Sequence, residues 1–211
     1  MRAVLFDLDG TLVDSTPSVD RCWQRLADAA QFDLERMQGL HGVPARAFIT
    51  LMLGPERADE IDYWTQWHLD QECDDVEGTH AFSGALELLA WIDAQPDMSW
   101  GIVTSCQLRL AQARMSAAKI PVPSFLVTAD DVKNGKPDPE PYVLGAEKAG
   151  VSRTQCIAVE DAPAGITAAL SAGVVTLGLT STHNLSEVAH ATYIANNLEG
   201  VLENLKESVR N

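Results

Sequence analysis

The residues best able to do chemistry fall in four short groups. Asp7 and Asp9 stand two apart in Phe6-Asp7-Leu8-Asp9-Gly10-Thr11-Leu12, directly after an apolar run. Thr104-Ser105 closes a second apolar run and precedes a helical stretch, so a hydroxyl, a backbone amide and a helix N-terminus could meet an anion there. Lys136 sits in Asn134-Gly135-Lys136-Pro137, and Glu160-Asp161 ends another apolar run before Ala162-Pro163-Ala164-Gly165, a helix start with proline in its first turn. Taken singly, these are a turn, a solvated lysine and a helix cap. Taken together, they supply an oxygen-rich acidic set, a hydroxyl and an ammonium. Such a set, with room for water and phosphate, suits Mg²⁺, and the lysine balances the phosphate charge. A calcium loop starting at Asp7 fails, because Thr11 and Ser18 stand where that loop needs acids.

These groups must be positioned by the elements around them. Apolar runs at 2–7, 99–105, 124–129, 155–161 and 174–180, with a weaker one at 192–196, predict strands buried on both faces of a parallel sheet. Helical stretches at 84–95, 107–119, 138–149 and 163–172 separate most of them, which predicts a doubly wound α/β fold with right-handed crossovers. All four groups then lie at the carboxyl ends of parallel strands, where such sheets bind ligands. The segment from the first strand to the second is far longer than a crossover needs. Helical readings near 18–30, 44–53 and 56–74 make 16–80 a helical insertion, leaving 1–15 and 81–211 as the α/β core. Trp23, Trp64 and Trp67 in that insertion read as helix–helix packing. The segment after 198 reads as a short amphipathic helix.

Composition narrows the partners. Hydrophobic residues make up 46% of the 211 residues and charged ones 21%, the balance of a globular chain. A net charge of −15 argues against a nucleic-acid partner, and an anionic substrate needs a local cation to overcome that field. No apolar run is long enough to span a membrane, and the first residues lack the apolar region of an export signal, so the expected compartment is the cytoplasm. Cys22, Cys73, Cys106 and Cys156 are scattered without a CxxC pair, which predicts reduced thiols and no zinc site.

With these motifs in hand, the chain resembles the haloacid dehalogenase superfamily phosphatases over nearly its whole length. FDLDGTLVDS, VTS, GKPDPEPY and VEDAPAGI match the four motifs of that family in order. VTADDVKNGKPDPEPY, VEDAPAGI and Leu40-His41-Gly42 look most like its sugar- and polyol-phosphate phosphatases, glycerol 3-phosphate and 2-deoxyglucose 6-phosphate phosphatases among them. The resemblance implies a Rossmann-like core with a helical cap inserted after the first strand. It implies Asp7 as nucleophile, Asp9 as general acid and base, and Lys136 as the catalytic cation. Mg²⁺ would be held by Asp7, the Asp9 carbonyl, Asp161 and Glu160, directly or through water. Phosphate would be bound by Leu8, Asp9, Thr104, Ser105 and Lys136, and His41 and Arg46 of the cap would read the leaving group. The expected partner is a small phosphorylated metabolite and the expected state a monomer. Two positions depart from the pattern. Cys106 replaces the usual glycine after Thr-Ser, adding an oxidation liability, and Ser83-Gly84 replaces the usual Pro-Gly at the cap's return hinge, which predicts a looser hinge.

The nearest rival is a phosphosugar mutase of the β-phosphoglucomutase kind. Such mutases often carry a residue other than threonine at position 11, a histidine at position 19 and an arginine directly after Gly-Val-Ser. Here stand Thr11, Val19 and Gly42-Val43-Pro44-Ala45, with Arg46 one place late, and all three favour hydrolysis. A phospho-receiver module would place its acceptor Asp after a later strand and has no insertion of this size. A silent phosphosugar sensor would not need every catalytic position filled.

Overall fold

The computed structural model describes residues 1–33 and 45–210. In chain order the elements are β1 (Ala3–Phe6), β2 (Val13–Asp14), α1 (Thr16–Ala30), α2 (Ala45–Leu53), α3 (Ile61–Asp74), β3 (His80–Ala81), α4 (Ala85–Asp93) and β4 (Ser99–Val103). There follow α5 (Leu108–Ala117), β5 (Leu126–Val127), α6 (Glu140–Lys148), β6 (Cys156–Glu160), α7 (Pro163–Ser171), β7 (Val175–Leu179), α8 (Leu185–Val188), β8 (Tyr193–Ala195) and α9 (Leu198–Arg210). The chain divides into two compact units, Met1–Asp14 with His80–Asn211, and Ser15–Thr79.

The first unit is α/β and Rossmann-like. Its sheet has six strands in the order β5-β4-β1-β6-β7-β8, and every pairing is parallel. The period of two along β1 sorts its side chains cleanly. Val4 and Phe6 join Trp100, Ile102, Val159 and Leu177 on one face, against Leu88, Leu89 and Ile92 of α4 and Val201 and Leu205 of α9. Ala3 and Leu5 join Val103, Val127 and Ala158 on the other, against Tyr142 and Ala146 of α6 and Ala168 and Ala169 of α7. Burial on both faces is why these strands are continuously apolar. From β1 the chain moves to β4 and β5 on one side, then returns to β6, β7 and β8 on the other. The order reverses beside β1, the place where such sheets bind ligands.

A separate antiparallel ribbon pairs β2 with β3, Val13 opposite Ala81 and Asp14 opposite His80. This ribbon is not legible in the sequence, because two-residue strands are too short to show a period. Phe82 N donates to Leu12 O at 3.0 Å beside it. The Ser83-Gly84 pair, expected to loosen this junction, is held in place. Ser83 Oγ donates to Glu199 Oε1 at 2.6 Å, and Gly84 takes a φ of 80°, which favours glycine.

The second unit is helical. Leu26 and Ala30 of α1, Ile49 and Leu53 of α2 and Ile61 form its buried centre, with Trp23, Trp64 and Trp67 packed against it. Trp23 meets Phe48 edge to face at 4.7 Å, so the tryptophans pack between helices as their spacing predicts. Among the described residues no helix is long and apolar enough to cross a membrane.

The segment leaving α3 is tied back to α1 by charge. Arg21 Nε and Nη2 donate to Asp75 at 3.0 and 2.6 Å, Arg25 Nη1 lies 2.9 Å from the same carboxylate, and Arg21 Nη2 also reaches Glu77 O at 2.6 Å. The Arg21 hydrogen bond holds the Asp75 carboxyl below the usual carboxylate range. A folded-state pKa below the unfolded one gives stability that is complete above the unfolded value, about pH 4, and lost as pH falls through the folded value. Asp75→Asn should therefore lower Tm by about 2–4 °C near neutral pH. Thermal melts across an acid series should show the gap to wild type closing below about pH 4; a gap constant down the series would mean that the carboxylate charge is not what holds this segment.

Candidate active site

The carboxyl ends of β1, β4 and β6 bring together residues far apart in sequence. Asp7 follows β1 and stays in register with the sheet, its amide donating to Val159 O at 3.0 Å. Glu160 ends β6 and Asp161 follows it. One oxygen each of Asp7, Glu160 and Asp161 lie within 4.8 Å of one another, and all three residues are buried. Lys136 enters this set from the loop before α6. Its Nζ donates to Asp7 Oδ1 at 2.6 Å, Glu160 Oε1 at 2.6 Å and Val103 O at 2.8 Å, using all three ammonium protons. Burial pushes the Asp7 carboxyl well up; the lysine opposes this, while the Glu160 and Asp161 charges add to it. Burial acts to lower Lys136, but Asp7 and Glu160 outweigh it and keep the ammonium charged.

Each acid has its own support. Tyr142 OH donates to Glu160 Oε1 at 2.7 Å from the first turn of α6, and the Ala162 amide reaches Glu160 Oε2 at 3.3 Å. Asp161 Oδ1 accepts from Thr11 Oγ1 at 3.0 Å, and its Oδ2 accepts from Thr182 Oγ1 in the loop after β7. Two glycines make room for these carboxylates. A methyl group on Gly10 would overlap the Asp161 carboxylate and one on Gly165 the Glu160 carboxylate; Gly10 also takes a φ of 85°.

Three carboxylates against one ammonium leave the site short of positive charge, and the donors are oxygens alone. That combination fits a hard divalent cation such as Mg²⁺ far better than a softer metal, which would draw on thiolate or imidazole. The sequence grouped the Asp9 carboxylate with the other three, but its side chain lies in a different network. Asp9 Oδ2 accepts from Arg114 Nη1 at 2.7 Å and from the Cys106 thiol at 3.0 Å. Burial, and then the Asp9 charge, push the Cys106 thiol well above its usual range, which disfavours the reactive thiolate.

The remaining sequence candidates separate. Thr104 is buried at the end of β4, its Oγ1 accepting from the Cys106 amide at 3.1 Å, and Ser105 beside it is exposed. The first amide of α5, expected to face an anion, is taken: Leu108 N donates to Asp130 Oδ2 at 2.8 Å. The Leu8 side chain is core, so only its backbone can meet a ligand. Arg46 lies in the helical unit, where it pairs with Asp62. His41 lies outside the described residues. Sequence reasoning missed Tyr142, Thr182 and Arg114. Arg114 alone left a signal, as a charge on the face of α5 that also carries Leu110, Ala111 and Met115.

The chain belongs to the haloacid dehalogenase-like hydrolase family, whose model matches residues 1–173. It is similar to hexitol phosphatase A of Escherichia coli, at 36% identity over 95% of this chain and 93% of that protein. It is also similar to glycerol-1-phosphate phosphohydrolase 1 of Saccharomyces cerevisiae, at 34% identity over 88% of this chain and 77% of that one. Among solved structures, a putative β-phosphoglucomutase from Thermotoga maritima superposes with a TM-score of 0.74 at 28% identity, over 98% of this chain and 99% of that one. The protein is thus an enzyme, a phosphatase of the haloacid dehalogenase type.

The lysine is the counter-charge to the two carboxylates it touches, Asp7 and Glu160. Lys136→Met should destabilise the metal-free protein by about 3–5 kcal/mol, the cost of breaking a buried ionic network from one side. Tyr142→Phe should cost about 1–3 kcal/mol, because Glu160 loses one donor. Urea unfolding in the presence of a chelator reads both, and a Lys136→Met loss no larger than that of Tyr142→Phe would mean that the lysine does not hold the carboxylates together.

Proposed function

We propose that the protein is a Mg²⁺-dependent phosphatase of small sugar or polyol phosphate monoesters, working through a phosphoryl group carried on Asp7. The observation that carries this reading is the Asp7–Lys136 contact of 2.6 Å inside a buried carboxylate set at the end of β1. It pairs a nucleophile with a cation that can neutralise a phosphoryl oxygen. The phosphatase names of the two relatives point to a hexitol or glycerol-sized leaving group.

Asp7, Glu160, Asp161 and the Asp9 carbonyl would hold the metal, which when bound offsets the repulsion between these carboxylates and a phosphate dianion. Asp7 attacks phosphorus while Asp9 gives a proton to the departing alkoxide. Asp9 then takes a proton from water, whose oxygen bonds to phosphorus and frees Asp7. Lys136, Thr104 and the amides of Leu8, Asp9 and Ser105 orient the phosphoryl oxygens. The helical insertion serves as a cap that excludes water and selects the leaving group, with His41 and Arg46 as its readers.

The two aspartates can be told apart by leaving group. Nitrophenolate departs without a proton, whereas an alkoxide needs one. Asp9→Asn should therefore release a burst of nitrophenol from p-nitrophenyl phosphate, about one equivalent per enzyme, then turn over slowly. Its phosphoenzyme should be trapped at Asp7, and sugar phosphates should give almost no burst. A phosphoryl adduct on another residue, or wild-type turnover in Asp9→Asn, would overturn these roles. Full activity in excess EDTA would overturn the metal requirement. Formation of an isomeric sugar phosphate dependent on added bisphosphate, in place of inorganic phosphate, would assign the enzyme to the mutases.

A further inference from the structure

The α5 helix carries one residue that its packing does not call for. Its buried positions are Leu110, Ala111, Arg114 and Met115, and the arginine side chain is only 6% exposed. A guanidinium in an apolar layer is costly unless an anion meets it. Asp9, 105 residues earlier, meets it: Nη1 donates to Oδ2 at 2.7 Å. The Cys106 thiol donates to the same oxygen at 3.0 Å, and Arg114 Nη1 lies 3.1 Å from Cys106 Sγ. The three groups close a triangle around one carboxylate oxygen.

Resting on the roles proposed above for Asp7 and Asp9, we propose that Arg114 is a positioning residue for Asp9. Arg114 and the Cys106 thiol engage Oδ2 and fix the rotation of the carboxylate. In the first step the Asp7–phosphorus bond forms as the bond to the leaving oxygen breaks, and the proton on Asp9 passes to that oxygen. In the second, water loses a proton to the Asp9 carboxylate as its oxygen bonds to phosphorus and the Asp7–phosphorus bond breaks. Each transfer requires the carboxylate to face the reacting oxygen, and a carboxylate free to rotate spends part of its time turned away.

A positioning role makes a prediction that a packing role does not. Arg114→Met keeps the length of the side chain and removes the fork. With a sugar or polyol phosphate, kcat should fall about 10–100-fold and KM should change by less than about threefold. The nitrophenol burst rate should stay within about threefold of wild type, and a burst should become visible because the second step still needs Asp9. Arg114→Lys should recover part of the loss, since one donor and the charge return. If Arg114→Met does not fold, as read by Tm, Cys106→Ala serves in its place: it leaves the ion pair, removes the other donor and should show the same pattern more weakly. Equal loss on the nitrophenol burst and on the sugar phosphate, in whichever variant folds, would overturn the inference, as would no loss on either. The wild type keeps this test separate from the earlier reading: no trapped phosphate on Asp7 in any form of the enzyme defeats that reading, whereas a trapped adduct with indifferent Arg114 variants defeats only this inference.

Discussion

The Lys136 ammonium is the contact on which the rest of the site depends. Its three protons go to Asp7, Glu160 and the Val103 carbonyl, so one side chain ties together the ends of β1, β4 and β6. Buried carboxylates repel one another strongly in a medium that screens poorly, and a cation among them offsets that repulsion. The same charge is a buried cation in a chain that carries −15 overall.

Around that contact the protein arranges two polar networks. One holds Asp7, Glu160 and Asp161 with Lys136, Tyr142, Thr11 and Thr182. The other holds Asp9 with Arg114 and Cys106. Asp7 and Asp9 are two residues apart, so in extended backbone they would point the same way. The bend through Leu8 and Gly10 separates them, Leu8 O accepting from the amides of Leu12 and Val13 at 2.9 Å. Two carboxylates with different neighbours can take different roles in one reaction.

The helical unit, Ser15–Thr79, is inserted after the first strand of the α/β unit. Its interior is built on aromatic contacts among Trp23, Phe48, Trp64 and Trp67, so it folds about its own centre.

The sequence by itself determined the sheet, the helical insertion and three of the four carboxylates it grouped, Asp7, Glu160 and Asp161, because each rests on a local signal. Continuous apolar runs mark strands buried on both faces, helical periods mark the layers over them, and polar residues at strand ends mark the crevice. The strands at 3–6, 99–103, 156–160 and 175–179 all lie within the runs read from sequence. Only the tertiary structure decided which charge meets which. Nothing near Asp9 in sequence shows that Arg114 will pair with it, and nothing near Glu160 shows that Tyr142 and Lys136 will. Nor does sequence show that Gly10 and Gly165 leave the space two carboxylates occupy. Those pairings span long stretches of chain and depend on where a helix crosses a sheet to within an ångström, whereas a period of two or of 3.6 records only which face a residue takes.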